Sequence, residues 1–122
     1  MTSATETPVL TLHDGVEIPQ LGFGVFQIPS EDTQEKVEEA FAVGYRHVDT
    51  AAAYGNEAGV GAAIAASGLP REEVFLTTKL WNSEQGYDAT LRAFEKSLGR
   101  LGTDHVDLYL IHWPLPSRDL FL

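Results

Sequence analysis

Four side chains in this sequence have the types and the spacing to move a proton onto a carbonyl: Asp49, Tyr54, Lys79 and His112. A free phenol gives up its proton only near pH ~10, but a neighbouring ammonium favours the phenolate and makes the phenol a usable acid. Lys79 supplies that ammonium, Asp49 holds it in place and charged, and Tyr54 is then the general acid or base. His112 hydrogen-bonds the carbonyl oxygen and orients it, where a donor matters most as an oxyanion develops. No nucleophile is evident, and a dry apolar rim of Phe26, Trp81 and Trp113 suits hydride transfer from a nicotinamide.

Taken singly, each residue has a plainer role. An Asp ending a strand caps the next helix, a lone Tyr is a rim aromatic, a strand-end Lys is a solvated charge, and a lone His is structural. The coincidence of all four at one place is what favours chemistry. A lysine at a barrel strand end also suits a Schiff-base lyase, although Asp49 beside Lys79 keeps the amine protonated. His47 and His105 fall at strand starts or middles without a matching carboxylate cluster, so no metal site is expected.

The elements that must position these residues alternate between strand and helix. A hairpin is expected over 8–19, where Asp14-Gly15 separates two short β-prone runs and His13 sits exposed on the turn. The first main strand reads as 20–27. Gly22 and Gly24 suggest a dinucleotide fingerprint, but Gln27 stands where its third glycine belongs and no helix opens there. Close backbone approach, in the packed barrel or under a ligand, is the simpler use of these glycines.

Ser30 or Asp32 caps a first helix, Val37, Ala40 and Phe41 form its inner face, and Gly44 stops it. A strand at 45–49 ends on Asp49, and Asn56 caps a second helix running to Ser67, with Gly68 and Pro70 behind it. The strand at 74–79 ends on Lys79. A third helix then carries Leu91, Phe94, Leu98 and Leu101 on one stripe, and the last strand, about 105–111, leads into His112. Strand and helix patterns joined by short connections mean βαβ units and a parallel sheet. The fold class is α/β, and in a parallel barrel the carboxyl ends of all strands share the face where a site is assembled. Pro114 and Pro116 halt regular structure, and a further helix is expected to begin within 117–122.

Composition narrows the partners. The 122 residues carry 43 % hydrophobic and 21 % charged side chains, ordinary for a globular domain. The net charge of −10, from 18 acids against 8 bases, argues against nucleic acid and anionic membranes, which need clustered Lys and Arg. With no Cys, neither disulfides nor thiol catalysis are available. The polar first residues lack the apolar stretch of a secretion signal, and no run approaches the roughly 20 apolar residues of a membrane span, so a soluble, cytoplasmic chain is expected.

Three segments resemble the signatures of the aldo-keto reductases: Gly44-Tyr45-Arg46-His47-Val48-Asp49-Thr50-Ala51 through Tyr54-Gly55-Asn56-Glu57, Thr78-Lys79-Leu80-Trp81, and Asp107-Leu108-Tyr109-Leu110-Ile111-His112-Trp113-Pro114. The likeness extends from Val9 onward and is nearest the bacterial branch that includes 2,5-diketo-D-gluconate reductases. It implies a TIM-type (β/α)8 barrel closed below by an N-terminal hairpin, acting on a small carbonyl substrate with NADPH. It places the catalytic tetrad on Asp49, Tyr54, Lys79 and His112, with Asp49 also beside the cofactor. It sets the substrate pocket on Phe26, Trp81, His112 and Trp113, and the backbone of Gly24, Val25 and Phe26 beside the nicotinamide ribose.

The resemblance also implies that most of the NADPH site comes from the second half of the barrel. Four main strands and three helices make residues 1–122 one partial domain, since a whole barrel typically needs about 250 residues. The expectation is a truncated reductase, monomeric when whole, whose isolated chain either self-associates or is poorly folded, and turns nothing over. The alternative is a non-catalytic cofactor-binding or interaction fragment of such a barrel.

Overall fold

A computed structural model describes residues 8–115 and 117. The expectations for the leader, for Pro116 and for a helix in 117–122 therefore fall largely outside the described residues. Strands β1 (Val9–Thr11) and β2 (Glu17–Pro19) form the antiparallel hairpin, with Leu10 opposite Ile18. Its turn is tied by the Asp14 carboxylate, which accepts the Val16 N–H at 3.1 Å, and His13 is exposed.

The main sheet has four parallel strands in chain order: β3 (Phe23–Gly24), β4 (His47–Asp49), β5 (Phe75–Leu80) and β6 (Leu108–Ile111). Among the described residues the sheet does not close, and β3 and β6 are its two edges. Helices α1 (Ser30–Ala42), α2 (Glu57–Ser67) and α3 (Tyr87–Leu101) connect the strands. Their apolar faces meet Val25, Val48, Val74 and Leu76 in a core completed by Val37, Phe41, Val60, Ala63 and Leu101. Each such side chain, fully buried, contributes about 1.5–3 kcal/mol. Alternation along the strands turns His47, Asp49, Thr77 and Lys79 to the opposite, inner face.

The strands at 45–49, 74–79 and 105–111 form within a few residues of their expected limits, and their ladders run slightly past the regular segments. Phe75 donates to the Arg46 carbonyl at 2.7 Å, and Asp107 to the Leu76 carbonyl at 2.9 Å. The expected strand at 20–27, in contrast, shrinks to two residues. Beyond Val25 the chain makes a turn, Ile28 N–H to Val25 carbonyl at 3.1 Å, in which Gln27 adopts a positive φ of 69°. A strand cannot continue through that conformation.

Two caps also differ from expectation. Pro29, not Ser30 or Asp32, occupies the cap position of α1, and no side chain caps it. Proline pre-sets the backbone there while Ser30 and Asp32 lie inside the first turn, where acids still complement the helix dipole. Asn56 does stand at the cap position of α2, but its carboxamide points away from the helix. The C-terminus of α1 is as expected: Gly44 takes φ +111°, its N–H bonds Phe41 carbonyl at 3.1 Å, and Tyr45 N–H bonds Ala40 carbonyl at 3.0 Å, a Schellman closure.

The face of α3 is rotated from the expected stripe. Ala93, Ser97 and Leu101 are buried, Phe94 and Leu98 half-buried, and Leu91 is 53 % exposed. The reason lies in what α3 packs against. A Cβ on Gly61 of α2 would stand 2.2 Å from the Leu101 carbonyl oxygen, so the two backbones nearly touch and only small residues fit between them. Ser97 also donates to the buried Glu57 carboxylate at 3.3 Å, and Arg100 donates to it at 2.6 Å. The helix therefore turns a polar, small-residue face inward to meet a charge.

This packing sets opposite signs for two glycine substitutions within helices. Gly61→Ala should lower stability by about 1–3 kcal/mol, the usual cost of overpacking against backbone that cannot yield. Gly99→Ala, with nothing within 4 Å of its added methyl, should leave stability unchanged or raise it by up to about 1 kcal/mol. Urea unfolding followed by circular dichroism separates the two, and equal effects would contradict the close helix crossing.

Candidate active site

Lys79 lies at the carboxyl end of β5, on the inner face, and its ammonium forms an ion pair with the Asp49 carboxylate at the end of β4. It donates as well to the Thr50 carbonyl at 3.1 Å and to the Tyr54 hydroxyl at 3.2 Å. The Lys79 side chain is only 13 % exposed, and these acceptors stand in for hydration of its ammonium. Tyr54 reaches it because the chain leaves β4 through extended Ala51 and folds back in a 3₁₀ turn, Ala52–Tyr54. Gly55 ends that turn at φ +72°, a conformation that most side chains resist.

His112 follows β6, and its N–H still bonds the Leu80 carbonyl at 3.1 Å, which fixes the ring beside the Lys79 strand end. The imidazole stands edge-on to Tyr54, centroids 5.6 Å apart, and edge-on to Trp81 at 5.4 Å. Trp113 stacks against it, with planes 5° apart. Burial is the main cause holding the His112 pKa below its ordinary 6.5; the Lys79 ammonium adds to it and Asp49 partly opposes it. The ring is therefore neutral at pH 7, and a neutral imidazole can donate from one nitrogen. Its Nδ1 is buried without a partner among the described residues.

Phe26, on the turn after β3, packs its ring 5.2 Å from that of Tyr54. Phe26, Gln27, Ala53, Tyr54, Trp81, His112 and Trp113 together line a pocket of ≈ 640 Å³. Gly24 is exposed beside this site with open space where a Cβ would be, while the Val25 side chain is buried among the helices, so that only its backbone can face a ligand. Asp49, Tyr54, Lys79, His112, Phe26, Trp81 and Trp113 are thus brought to one end of the sheet. His47 instead contacts Thr77 Oγ1 at 3.0 Å and the Pro19 carbonyl at 3.4 Å, joining the sheet to the hairpin, and His105 pairs with Asp104.

Several contributors escaped the reading of the sequence. Gln27 and Ala53 line the pocket, and Gln85, buried at the end of the connection into α3, donates to the Trp113 carbonyl at 2.7 Å. Nothing in their spacing marked them. Asn56 was marked only as a helix cap. Tyr109, one strand over, is no substitute acid: burial first, and the Glu57 carboxylate next, push its phenol up to about 12.

Parallel βα units carrying an amine, a phenol and an imidazole at their carboxyl ends define an α/β protein of the open-barrel kind. The chain belongs to the aldo/keto reductase family, whose model matches residues 20–121. It is 65 % identical over 115 residues to an aldo-keto reductase of Mycobacterium sp. (strain KMS), covering 94 % of this chain and 42 % of that one. The crystal structure of an aldo/keto reductase from Brucella melitensis superposes with a TM-score of 0.91 at 61 % identity, over 95 % of this chain and 45 % of that one. A Bombyx mori aldo-keto reductase, solved in complex with NADP, gives 0.85 at 43 % identity, over 92 % of this chain and 40 % of that one. The chain thus spans about two fifths of the length of such relatives.

The setting of His112 has a measurable consequence. Its native pKa lies below that of the unfolded chain, so between the two values the unfolded state binds more protons. Stability should therefore decline as pH falls through 6.5 toward the lower native value, and His112→Asn should flatten that part of the profile. In an NMR titration, Lys79→Met should move the His112 midpoint upward by removing a repelling cation. A wild-type midpoint at or above 6.5 would refute the assigned burial.

Proposed function

We propose that this chain carries the proton-donating site of an NADPH-dependent reductase that converts aldehydes or ketones to alcohols. The observation that supports the reading most directly is the contact of the Lys79 ammonium with both the Tyr54 hydroxyl and the Asp49 carboxylate. Tyr54 is the acid: it delivers its proton to the carbonyl oxygen while Lys79 stabilises the phenolate left behind. His112 donates from Nε2 to the same oxygen, orienting the carbonyl and stabilising the charge that builds there. Phe26, Trp81 and Trp113, together with His112, form the substrate wall, a largely aromatic surface for the carbonyl compound to lie against.

The residues present fit the nicotinamide end of a cofactor. Gly24 offers bare backbone at the edge of the pocket, and the turn through Val25 and Phe26 continues that edge, with Asp49 behind it. When bound there, NADPH supplies the hydride. A Schiff-base role for Lys79 is disfavoured, because its three N–H donors face three acceptors and no lone pair is free to attack.

The same reading holds that the rest of the cofactor grip lies outside these residues, that the whole protein is a cytoplasmic monomer, and that the 122-residue chain alone either self-associates or folds poorly, and is inactive. No helix among the described residues is long and apolar enough to cross a membrane. The exposed edge strand β6, with Leu110 and Ile111 38 % and 45 % exposed, supports the self-association.

The test joins this chain to the remaining segment of the 65 % identical Mycobacterium relative and follows NADPH oxidation on adding an aldehyde. Turnover is expected, with Tyr54→Phe lowering kcat by about 10²–10⁴. The 122-residue chain alone should show none. A Tyr54→Phe variant that keeps activity within threefold would sink the assignment of the acid. NADPH binding without turnover by the joined protein would favour a cofactor-binding module instead.

A further inference from the structure

Asn56 carries a fully buried carboxamide, 1 % exposed, that takes no part in capping its own helix. Its Nδ2 donates to two backbone carbonyls, Val25 at 2.9 Å and Ile28 at 3.3 Å. Its Oδ1 accepts from Thr50 Oγ1 at 2.9 Å. The orientation of the amide is forced, since two carbonyl oxygens can only face the NH₂ group. Both donors and the acceptor oxygen of this side chain are thereby engaged.

The two carbonyls belong to the first and last residues of the 25–28 turn. Its third residue, Gln27, is the one non-glycine residue at positive φ among the described residues. That place in a turn favours glycine or asparagine, and Gln27 occupies it at a cost. The second residue is Phe26, whose ring meets Tyr54. On the other side, Thr50 gives its hydroxyl to Asn56 and its carbonyl to Lys79.

From these contacts we infer that Asn56 is a positioning residue: its two donated hydrogen bonds hold the strained 25–28 turn and thereby set Phe26 against Tyr54. It acts on the binding wall through its nitrogen and only supports the Lys79 cluster through its oxygen. Asn56→Asp separates these roles, being of the same shape. It keeps the acceptor for Thr50 but turns two attractions into contacts between a carboxylate and carbonyl oxygens.

In the 122-residue chain, a nuclear Overhauser contact between the Phe26 and Tyr54 rings is expected in the wild type and lost in Asn56→Asp. The amide signals of α2, α3 and β5 should stay in place. Adding Gln27→Gly should restore the contact, because glycine holds a positive φ without strain. A loss of general stability would not be repaired in that way. Thr50→Val, which removes only the acceptor-side bond, should keep the contact.

If Asn56→Asp fails to fold, the wild type still decides: slow exchange of the Asn56 carboxamide protons is required, and fast exchange would overturn the inference. So would a ring contact that persists in Asn56→Asp. The kinetic consequence rests on the proposed reductase reading. In the joined protein, Asn56→Asp should raise KM about tenfold with kcat nearly unchanged. No turnover in any form would defeat that reading and leave the ring contact to judge Asn56, whereas a fall in kcat alone would count against the inference.

Discussion

The Lys79 ammonium has three protons, and the chain meets them with the Asp49 carboxylate, the Thr50 carbonyl and the Tyr54 hydroxyl. All three acceptors come from one strand end and the turn behind it, so the cluster forms only if β4 and β5 pair in the observed register, Asp49 opposite Thr77. The outer face of β5 enforces the same register. Thr78, beside Lys79 in sequence but pointing to the helices, donates to Glu57 at 2.5 Å. A slip of one residue would exchange Thr78 and Lys79, send the ammonium to the helix side and leave Asp49 without a cation. Removing one partner of a fully buried pair costs about 3–5 kcal/mol. Glu57, with a side chain 1 % exposed, comes closer to that limit than Asp49, at 39 %.

The inner-face cluster was legible because it follows from local rules that reinforce one another. β-branched and aromatic residues around 74–78 make a strand, a strand must end where its charged residue reaches water or a partner, and parallel strands end on one side. What was illegible depends on contacts between segments distant in sequence. Leu91 belongs to an apolar stripe by spacing, yet it is exposed because α3 turns toward Gly61 and Glu57, which no periodicity within α3 can reveal. The strand at 20–27 failed for a similar reason: Gln27 adopts a turn conformation that its residue type does not favour, held by hydrogen bonds from Asn56 across 28 and 31 positions of sequence. Asn56 itself sits where a cap residue should sit, and only the structure shows its carboxamide engaged elsewhere.

The open sheet changes how these groups meet solvent. Trp81 and Trp113 are 38 % and 59 % exposed, and the Asp49 carboxylate retains contact with water. Water weakens the attraction between Asp49 and Lys79, since the same pair at the same distance interacts several times more strongly at low effective dielectric. The geometry of the cluster is nonetheless complete, because backbone atoms and one strand register fix it. Its electrostatic strength is what the exclusion of water would raise.

Tyr54 and Tyr109 show how the two faces of one sheet assign different chemistry to one residue type. Tyr109 lies on the helix side near the Glu57 carboxylate, and its phenol is pushed up to about 12, so it stays protonated and serves as packing against Phe94. Tyr54 lies on the inner side against an ammonium, where a phenolate would meet a cation instead of an anion. Burial first and the same cation next hold down the basicity of His112, which keeps the imidazole neutral beside it. One positive charge thus touches both neighbours: it donates to the Tyr54 hydroxyl and adds to the burial that disfavours a cationic His112.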